Sequence, residues 1–505
     1  MRAEALTHDP RNGTPSLTPQ GIRDALHRVQ QAPPPPALPY PPPRRAAEAP
    51  DLVDYAVVRQ LHREIHDELT GLLREQGEVT AEYRRAEGER ITTHRVNGWV
   101  DAQRRTRTVT DAEEDALLDA VLAEVVGLGR LQPLLDDPTI ENITILGFDQ
   151  VRIEYRDGGG IGYGKPVADS DEHLIRLVQN LARQGTAIGT TERSLSPSKP
   201  MLDMQLPDGS RLTVTYQVSQ RPVVVIRRHG TVDVTLDDLT GEKWNMIDPV
   251  LARFLAAAVA SDANIMIAGK GGSGKTTLLR ALGSCIPSNE WFVVMEESRE
   301  LGFHLTGRHP WCVSLEAREG HGGLGPDGRP VGELRLGTMF PITQRLNTQR
   351  VIVGEVRDEE IIAALQAMST TGGSFCTIHA RHVDLVFDRV VELALAHRNE
   401  NSVERAYRQV SGAIDYIVYV HLADESKIGG AKHRFVSHVL ELNGVVDGQV
   451  KYTTVFGPDA SGRAVPQHLP ERHREDLLQV GYDLGDLNRH VGRGQWPRPL
   501  NRLAR

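Results

Sequence analysis

Asn264-Ile265-Met266-Ile267-Ala268 runs directly into Gly269-Lys270-Gly271-Gly272-Ser273-Gly274-Lys275-Thr276, and this stretch decides the fold. The apolar run predicts a short buried strand. The octet after it is a complete G-x-x-x-x-G-K-[ST] phosphate loop. A strand must end, the chain must turn tightly over a phosphate chain, and a helix must begin. Glycines accept the left-handed angles this needs and let N–H groups face phosphate oxygens. Lys275 is expected to reach the β- and γ-phosphates and the Thr276 hydroxyl to hold Mg²⁺, with Gly269, Lys270, Gly271, Gly272, Ser273, Gly274 and Thr277 completing the binding set. A bare Gly-rich turn would share the string, but the flanking strand and helix argue against it. The expectation is a nucleoside triphosphate site.

Working outward, 505 residues give room for two or three domains with ample core. A hydrophobic content of 39% and a mean hydropathy of −0.34 describe a soluble protein. The apolar stretch Val250 to Ala260 contains Arg253 and falls well short of the roughly 20 residues a membrane span needs. Met1-Arg2-Ala3-Glu4 opens without the apolar core of a secretory leader. Cys285, Cys312 and Cys376 are too widely spaced for a disulfide framework or a Cys-x-x-Cys zinc site, which fits a reducing cytoplasm. The net charge of −9 argues against nonspecific nucleic-acid binding, so no direct nucleic-acid partner is expected.

Five segments follow from composition and periodicity. Residues 1–50 read as a disordered arm, with proline at eight of the eleven positions from Pro33 to Pro43, an extended spacer. Residues 51–110 form a helical segment in which Val58, Leu61, Ile65, Leu69 and Leu72 share one face. Residues 111–235 read as an α+β domain: a helix with Leu117, Leu118, Val121, Leu122 and Val125 on one face, short strands, a helix near 172–183, and a hairpin around Pro207-Asp208-Gly209. Residues 236–460 carry the phosphate loop within alternating strands and helices, the pattern of a parallel sheet flanked by helices. Tyr416 to His421 and Phe435 to Leu442 read as antiparallel additions. Residues 461–505 read as a polar tail, at best partly ordered.

Three later features point to hydrolysis. Arg350-Val351-Ile352-Val353-Gly354-Glu355 is a buried run ending in an acid suited to Mg²⁺ or its water shell. Val293-Val294-Met295-Glu296-Glu297-Ser298-Arg299-Glu300 crowds three acids at the end of a strand expected to lie beside the phosphate-loop strand, where Glu296, or Glu300 in second place, can polarise the attacking water. Thr371 to Ala380 ends an apolar run in His379, placed to sense the γ-phosphate.

Taken together these segments resemble the secretion and pilus-assembly ATPases of the type II and type IV secretion superfamily, most of all the Tad/Flp pilus group of CpaF-like proteins. Residues 293–301 look like the family's Asp box, 350–358 like its atypical Walker B, and 371–380 like its His box. Gly127 to Pro138 with Ile143-Thr144-Ile145 looks like its opening motif, and Leu206 to Arg211 and Val225 to Arg228 like later segments of its N-terminal domain. The resemblance implies a RecA-like domain behind an α+β domain, with ATP and Mg²⁺ between them. It also implies a homo-oligomer, a hexameric ring, working under integral-membrane platform proteins at the inner face of the plasma membrane. Arg211 and Arg227 match family arginines of the N-terminal domain that approach the phosphates, and Arg345, ahead of the Walker B segment, matches another family arginine. The chain departs from the family at Glu297, where aspartate is usual, at Asn347, where arginine is usual, at Gly373, where the His box has histidine, and at Arg381-His382, where Asn-Ser is usual.

Overall fold

The computed structural model describes residues 44–45, 53–76, 80–156, 160–187, 195–206, 209–228, 233–318, 320, 323–325, 328, 330–396 and 403–502. The proline-rich arm lies outside the described residues apart from Arg44 and Arg45, as do Pro207 and Asp208 of the expected hairpin turn.

Three helices, Tyr55–Gln76, Ala81–Arg104 and Asp111–Val126, open the fold. They bury Val58, Leu61 and Ile65 of the first against Ile91, Val96 and Val100 of the second and Leu117 and Val121 of the third. The first and third were expected. The middle one lies inside the helical segment expected over 51–110, but apolar residues are sparse among its charged ones, so its periodicity is weak and marks no separate face. Its start is nonetheless capped: the Thr80 hydroxyl accepts from the Tyr83 N–H at 3.2 Å. The third helix packs on the helices before it rather than on the sheet that follows.

Next comes a seven-stranded sheet. Its strands are β1 (Arg44–Arg45), β2 (Ile140–Leu146), β3 (Gln150–Tyr155), β4 (Ile161–Gly164), β5 (Met201–Gln205), β6 (Arg211–Thr215) and β7 (Val223–Arg227), in the order β1-β4-β3-β2-β7-β6-β5. Burial alternates along β2, β6 and β7, so one face is apolar, and Leu174, Val178 and Leu181 of helix Asp171–Ala187 cover it. β5 and β6 pair antiparallel as the expected hairpin. Arg211 and Arg227 are opposed across β6 and β7, so both arginines leave the same end of the sheet.

The second sheet holds the phosphate loop. Its strands are β8 (Ile265–Gly269), β9 (Phe292–Glu296), β10 (Cys312–Glu316), β11 (Arg350–Val356), β12 (Phe375–His379), β13 (Tyr416–Asp424), β14 (Lys432–Val446), β15 (Gln449–Pro458) and β16 (Ala464–Pro466), ordered β10-β9-β11-β12-β8-β13-β14-β15-β16. β8 and β9 are buried along their whole length, as central parallel strands between helical layers must be. Two expectations need correction. β13 is not an antiparallel addition: it runs parallel to β8 and turns antiparallel only toward β14. β9 does not lie beside β8, because β11 and β12 stand between them. Apolar runs of this kind report burial but not lateral order, which the helical crossovers decide.

The expected loose tail is also corrected. Leu477 and Leu487 are buried in the core of the second sheet, and the Trp496 indole donates to the Ala464 carbonyl at 3.1 Å. Asp248, which caps helix Pro249–Ala260, also accepts from the Gln495 N–H. The main anchor is His473. Its Nε2 lies 2.9 Å from Asp415 and its Nδ1 3.2 Å from Glu441, a residue with no exposed surface. Asp415 in turn accepts from the Asn264 N–H at 2.8 Å, so the tail is tied to the residue just before the phosphate-loop strand.

Burial alone would lower the His473 pKa, but the two carboxylates outweigh it and raise it to about 9. A folded-state value above the unfolded one means that this stabilisation is complete below about pH 6.5 and is lost as pH rises through about 9. We therefore expect His473→Gln to destabilise the protein by up to about 3 kcal/mol near pH 6. The gap in urea midpoint from wild type should close as pH is raised past 9. A gap that stays constant across this range would remove the imidazolium from the account.

Candidate functional site

At the last residue of β8 the chain has no room for a side chain. A Cβ on Gly269 would stand 2.4 Å from the Val420 carbonyl oxygen and 2.7 Å from the Ser273 hydroxyl. Gly274 takes φ 98° and starts helix Lys275–Gly283, a left-handed corner that favours glycine. Ser273 is fully buried and its Oγ has no hydrogen-bond partner among the described residues. Thr276 sits in the first turn of the helix, where backbone N–H groups lack intrahelical acceptors.

Lys275 is 6% exposed, and among the described residues its Nζ hydrogen-bonds with the Lys270 carbonyl at 3.1 Å and His379 Nδ1 at 3.2 Å. Burial first, then the like charges of Arg227 and Arg357, lower its pKa to about 8, although Glu355 pulls the other way. On its far side His379 Nε2 meets Glu355 Oε1, and Arg357 holds Glu355 Oε2 at 2.5 and 2.9 Å. Burial would raise the Glu355 pKa, but His379 and Arg357 more than offset it and hold it at about 2. Lys275, His379 and Glu355 therefore form one chain of contacts, as three separate strand ends converge.

Glu296 is 3% exposed and lies further along the same edge. Its Oε1 accepts the N–H groups of Glu300 and Leu301, both at 2.9 Å, while Oε2 is buried with no hydrogen-bond partner among the described residues. Burial pushes its pKa up to about 7 against the pull of those two N–H groups. Gly354 explains its own place in the motif: a Cβ there would stand 2.9 Å from Glu296 Cγ. The turn that Glu296 organises is gripped from two sides. Arg280 of the phosphate-loop helix donates to the Glu300 and Leu301 carbonyls. From the first sheet, Gln205 donates to the Arg299 carbonyl at 3.0 Å and Arg211 lies 3.5 Å from the Glu300 carboxylate.

The three sequence-predicted arginines differ in position. Arg211 is committed to Asp203 and Glu300. Arg227 makes no hydrogen bond or ion pair among the described residues, yet is near enough to depress the pKa of Lys275. Arg345 is exposed at the end of helix Leu336–Arg345 and joins none of these contacts. Sequence reading missed Arg434, whose Nε donates to the Gly272 carbonyl at 2.8 Å. No local motif marks it, since it arrives from β14, far along the chain.

Gly373 also acquires a reason. It takes φ 70°, and a Cβ there would stand 2.2 Å from Nη1 of Arg350, which is 1% exposed and held by Glu290, Asp262 and the Gly373 carbonyl. The buried guanidinium occupies the space a side chain at 373 would need.

The glycine cradle, the orphaned Ser273 hydroxyl and the buried ammonium of Lys275 fit a phosphate chain, and Thr276 in the first helical turn is the residue that would hold Mg²⁺. Among the described residues no three His, Cys, Asp or Glu side chains gather into a metal site of their own. Fold and site together define a RecA-like P-loop protein.

The chain belongs to the type II/IV secretion system protein family, whose model matches residues 131–435. It is 28% identical over 288 residues to an uncharacterized protein of Methanocaldococcus jannaschii, covering 56% of this chain but only 48% of that protein's length. It is 28% identical over 332 residues to the type IV secretion system protein VirB11 of Brucella suis, covering 58% of this chain and 84% of that protein. The crystal structure of the VirB11 ATPase from the Brucella suis system, in complex with sulphate, matches at 25% identity with a TM-score of 0.31, covering 62% of this chain and 92% of that one. No helix among the described residues is long and apolar enough to cross a membrane.

Replacing Gly373 by alanine should cost about 2–4 kcal/mol, since the backbone is left-handed and the buried Arg350 cannot yield. Alanine at Gly372, whose Cβ would meet Asp262 at 3.2 Å, should cost less. Equal denaturant midpoints for the two variants would contradict this account of position 373.

Proposed function

We propose that the chain is an ATPase that hydrolyses Mg-ATP to power pilus assembly or protein secretion across a membrane. The observation that carries the reading is the contact chain Lys275–His379–Glu355, which joins a phosphate-binding loop to the groups that respond to what it holds. Bound Mg²⁺ would supply charge neutralisation at the phosphates. Lys275 binds the phosphate chain, Thr276 is the hydroxyl that holds the metal, and Glu355 orders its water shell. His379 couples phosphate occupancy to the strand ends around it.

The two acids divide by basicity. Glu355, held at about 2, stays ionised but is a poor proton acceptor. Glu296, at about 7 with a free buried oxygen, suits a general base near neutral pH. Glu300, shared with Arg211 and the Glu296 turn, remains the second choice for that role. Arg227, uncommitted and directed to the loop by its place at the end of β7, is the first-sheet arginine best placed to neutralise phosphate charge, with Arg211 released to join it when the two sheets shift. Arg345 would act only from a neighbouring copy, and we assign the assembly as a homo-oligomer, a hexameric ring working with integral-membrane platform proteins at the cytoplasmic face.

The motif set 293–301, 350–358 and 371–380 supports a Tad-like pilus motor. The similarity to VirB11 over 332 residues favours a conjugative type IV secretion motor as the second reading.

The experiment is steady-state hydrolysis of Mg-ATP against pH. Because Glu296 must be ionised to accept a proton, kcat/KM should fall as pH drops below about 7. Glu296→Gln should bind ATP with turnover reduced at least about 100-fold, and the acidic limb should disappear from its residual activity. Turnover preserved in the Gln variant would take the base role from Glu296. A wild type that binds ATP tightly and never hydrolyses it would replace the motor by an ATP-gated scaffold.

A further inference from the structure

Helices cover both faces of the second sheet, and its strands divide their side chains between them. Val351, Val353, Cys376 and Ile378 lie in the core that holds helix Glu360–Thr370, while Ile352 and Phe375 lie in the core that holds Leu278 and Leu279 of the phosphate-loop helix. Side chains alternate along a strand, so Glu355, two places beyond Val353, should point away from the phosphate loop and Val356 toward it. The structure shows the reverse. Val356 is buried with Val353 in the core of helix Glu360–Thr370, and Glu355 meets His379, the partner of Lys275, on the phosphate side.

The cause is one extra residue in β11. Ile352 and Val353 pair with Phe375 and Cys376, and Val356 pairs with Ile378, so Gly354 and Glu355 together stand opposite Thr377 alone. Such a bulge shifts the alternation by one and re-aims the side chains that follow. An interrupted ladder leaves backbone groups to be paired by other means. Here the hydroxyl of Thr377, a residue 2% exposed, donates to the Gly354 carbonyl at 2.8 Å. Toward β9 the same glycine abuts Glu296, whose Cγ would stand 2.9 Å from a Cβ at 354. The bulge is thus held between a hydroxyl on β12 and a side chain on β9.

We infer that the bulge at Gly354 and Glu355, latched by the Thr377 hydroxyl, is what presents Glu355 to His379, and that Thr377 is a positioning residue of the nucleotide site. This inference rests on the nucleotide reading of the loop given above. Threonine suits the task because its hydroxyl supplies the donor while its branched side chain has few rotamers to lose. A misdirected Glu355 would leave His379 and the water shell of Mg²⁺ without their carboxylate, while the glycine cradle and Lys275 would still take the phosphates. Loss of the Thr377 hydroxyl should therefore resemble loss of the Glu355 charge. The two losses should not add, because the first acts through the second.

The test compares the full chain as wild type, Thr377→Val, Thr377→Ser, Glu355→Gln and the combined Thr377→Val/Glu355→Gln. Each is titrated calorimetrically with ATP, with and without Mg²⁺, and assayed for phosphate release, with its thermal midpoint recorded. Thr377→Ala, which puts no methyl in place of the hydroxyl, stands in for Thr377→Val in both backgrounds should that protein not fold. Thr377→Val should bind metal-free ATP within about twofold of wild type, lose at least about fivefold of the affinity that Mg²⁺ adds, and release phosphate at least about tenfold more slowly. Thr377→Ser keeps the donor and should stay within about threefold of wild type in all three quantities. In the Glu355→Gln background, Thr377→Val should change none of them by more than about twofold. Losses that multiply in the combined variant, a serine variant as impaired as the valine one, or a valine variant equal to wild type would each overturn the inference. A wild type that binds Mg-ATP and releases no phosphate would fail the hydrolytic reading, while the Mg²⁺-linked affinity still decides the part of Thr377. A wild type that binds no ATP would fail the nucleotide reading and this inference with it.

Discussion

A buried ammonium without an anion of its own is the constraint from which the site follows. Lys275 is held between a carbonyl and an imidazole, and the nearest carboxylate, Glu355, is already engaged by His379 and Arg357. Desolvation penalises such a charge by several kcal/mol unless something negative arrives. The helix start beside it presents the positive end of a macrodipole. Glycines strip away side chains that would fill the space. The loop is thus shaped and charged for an anion, and the strand ends at β11 and β12 are arranged to register one.

Two further elements share that dependence. The turn from Glu296 to Leu301 is bonded at once to its own carboxylate, to Arg280 on the phosphate-loop helix, and to Gln205 and Arg211 of the first sheet. A shift of the first sheet therefore pulls on the backbone N–H groups that hold Glu296. At the opposite end of β8, Asn264 joins Asp415, Ser374 and Met368, and through Asp415 the His473 anchor of the tail. The start of β8 is thus tied to segments distant in the chain.

Much of this was legible in the chain itself. The phosphate loop, its strand and helix, Glu355 after an apolar run and His379 after another are local patterns with a direct physical meaning. What stayed hidden is non-local. Nothing in the run Phe292–Glu296 says that two strands separate it from β8, because full burial looks the same at every inner position of a parallel sheet. Tyr416–Asp424 carries no mark distinguishing a parallel neighbour from an antiparallel one. The charge of helix Ala81–Arg104 blurred its apolar face within the expected helical segment, and polarity masked the tail, although a few residues, Leu477, Leu487 and His473, hold it. Arg434 and the buried Arg350 came into view only with tertiary contacts, the second of them supplying the reason for glycine at 373.

The central claim is that the Lys275 ammonium exists to hold a nucleoside triphosphate for hydrolysis. The most direct measurement is Mg²⁺-dependent phosphate release by purified full-length protein, wild type beside Lys275→Ala, with ATP binding and particle mass recorded on the same samples. The account predicts steady release by wild type, and loss of both binding and release in the variant with its fold intact. A Lys275→Ala protein that binds and hydrolyses ATP as wild type does would contradict it.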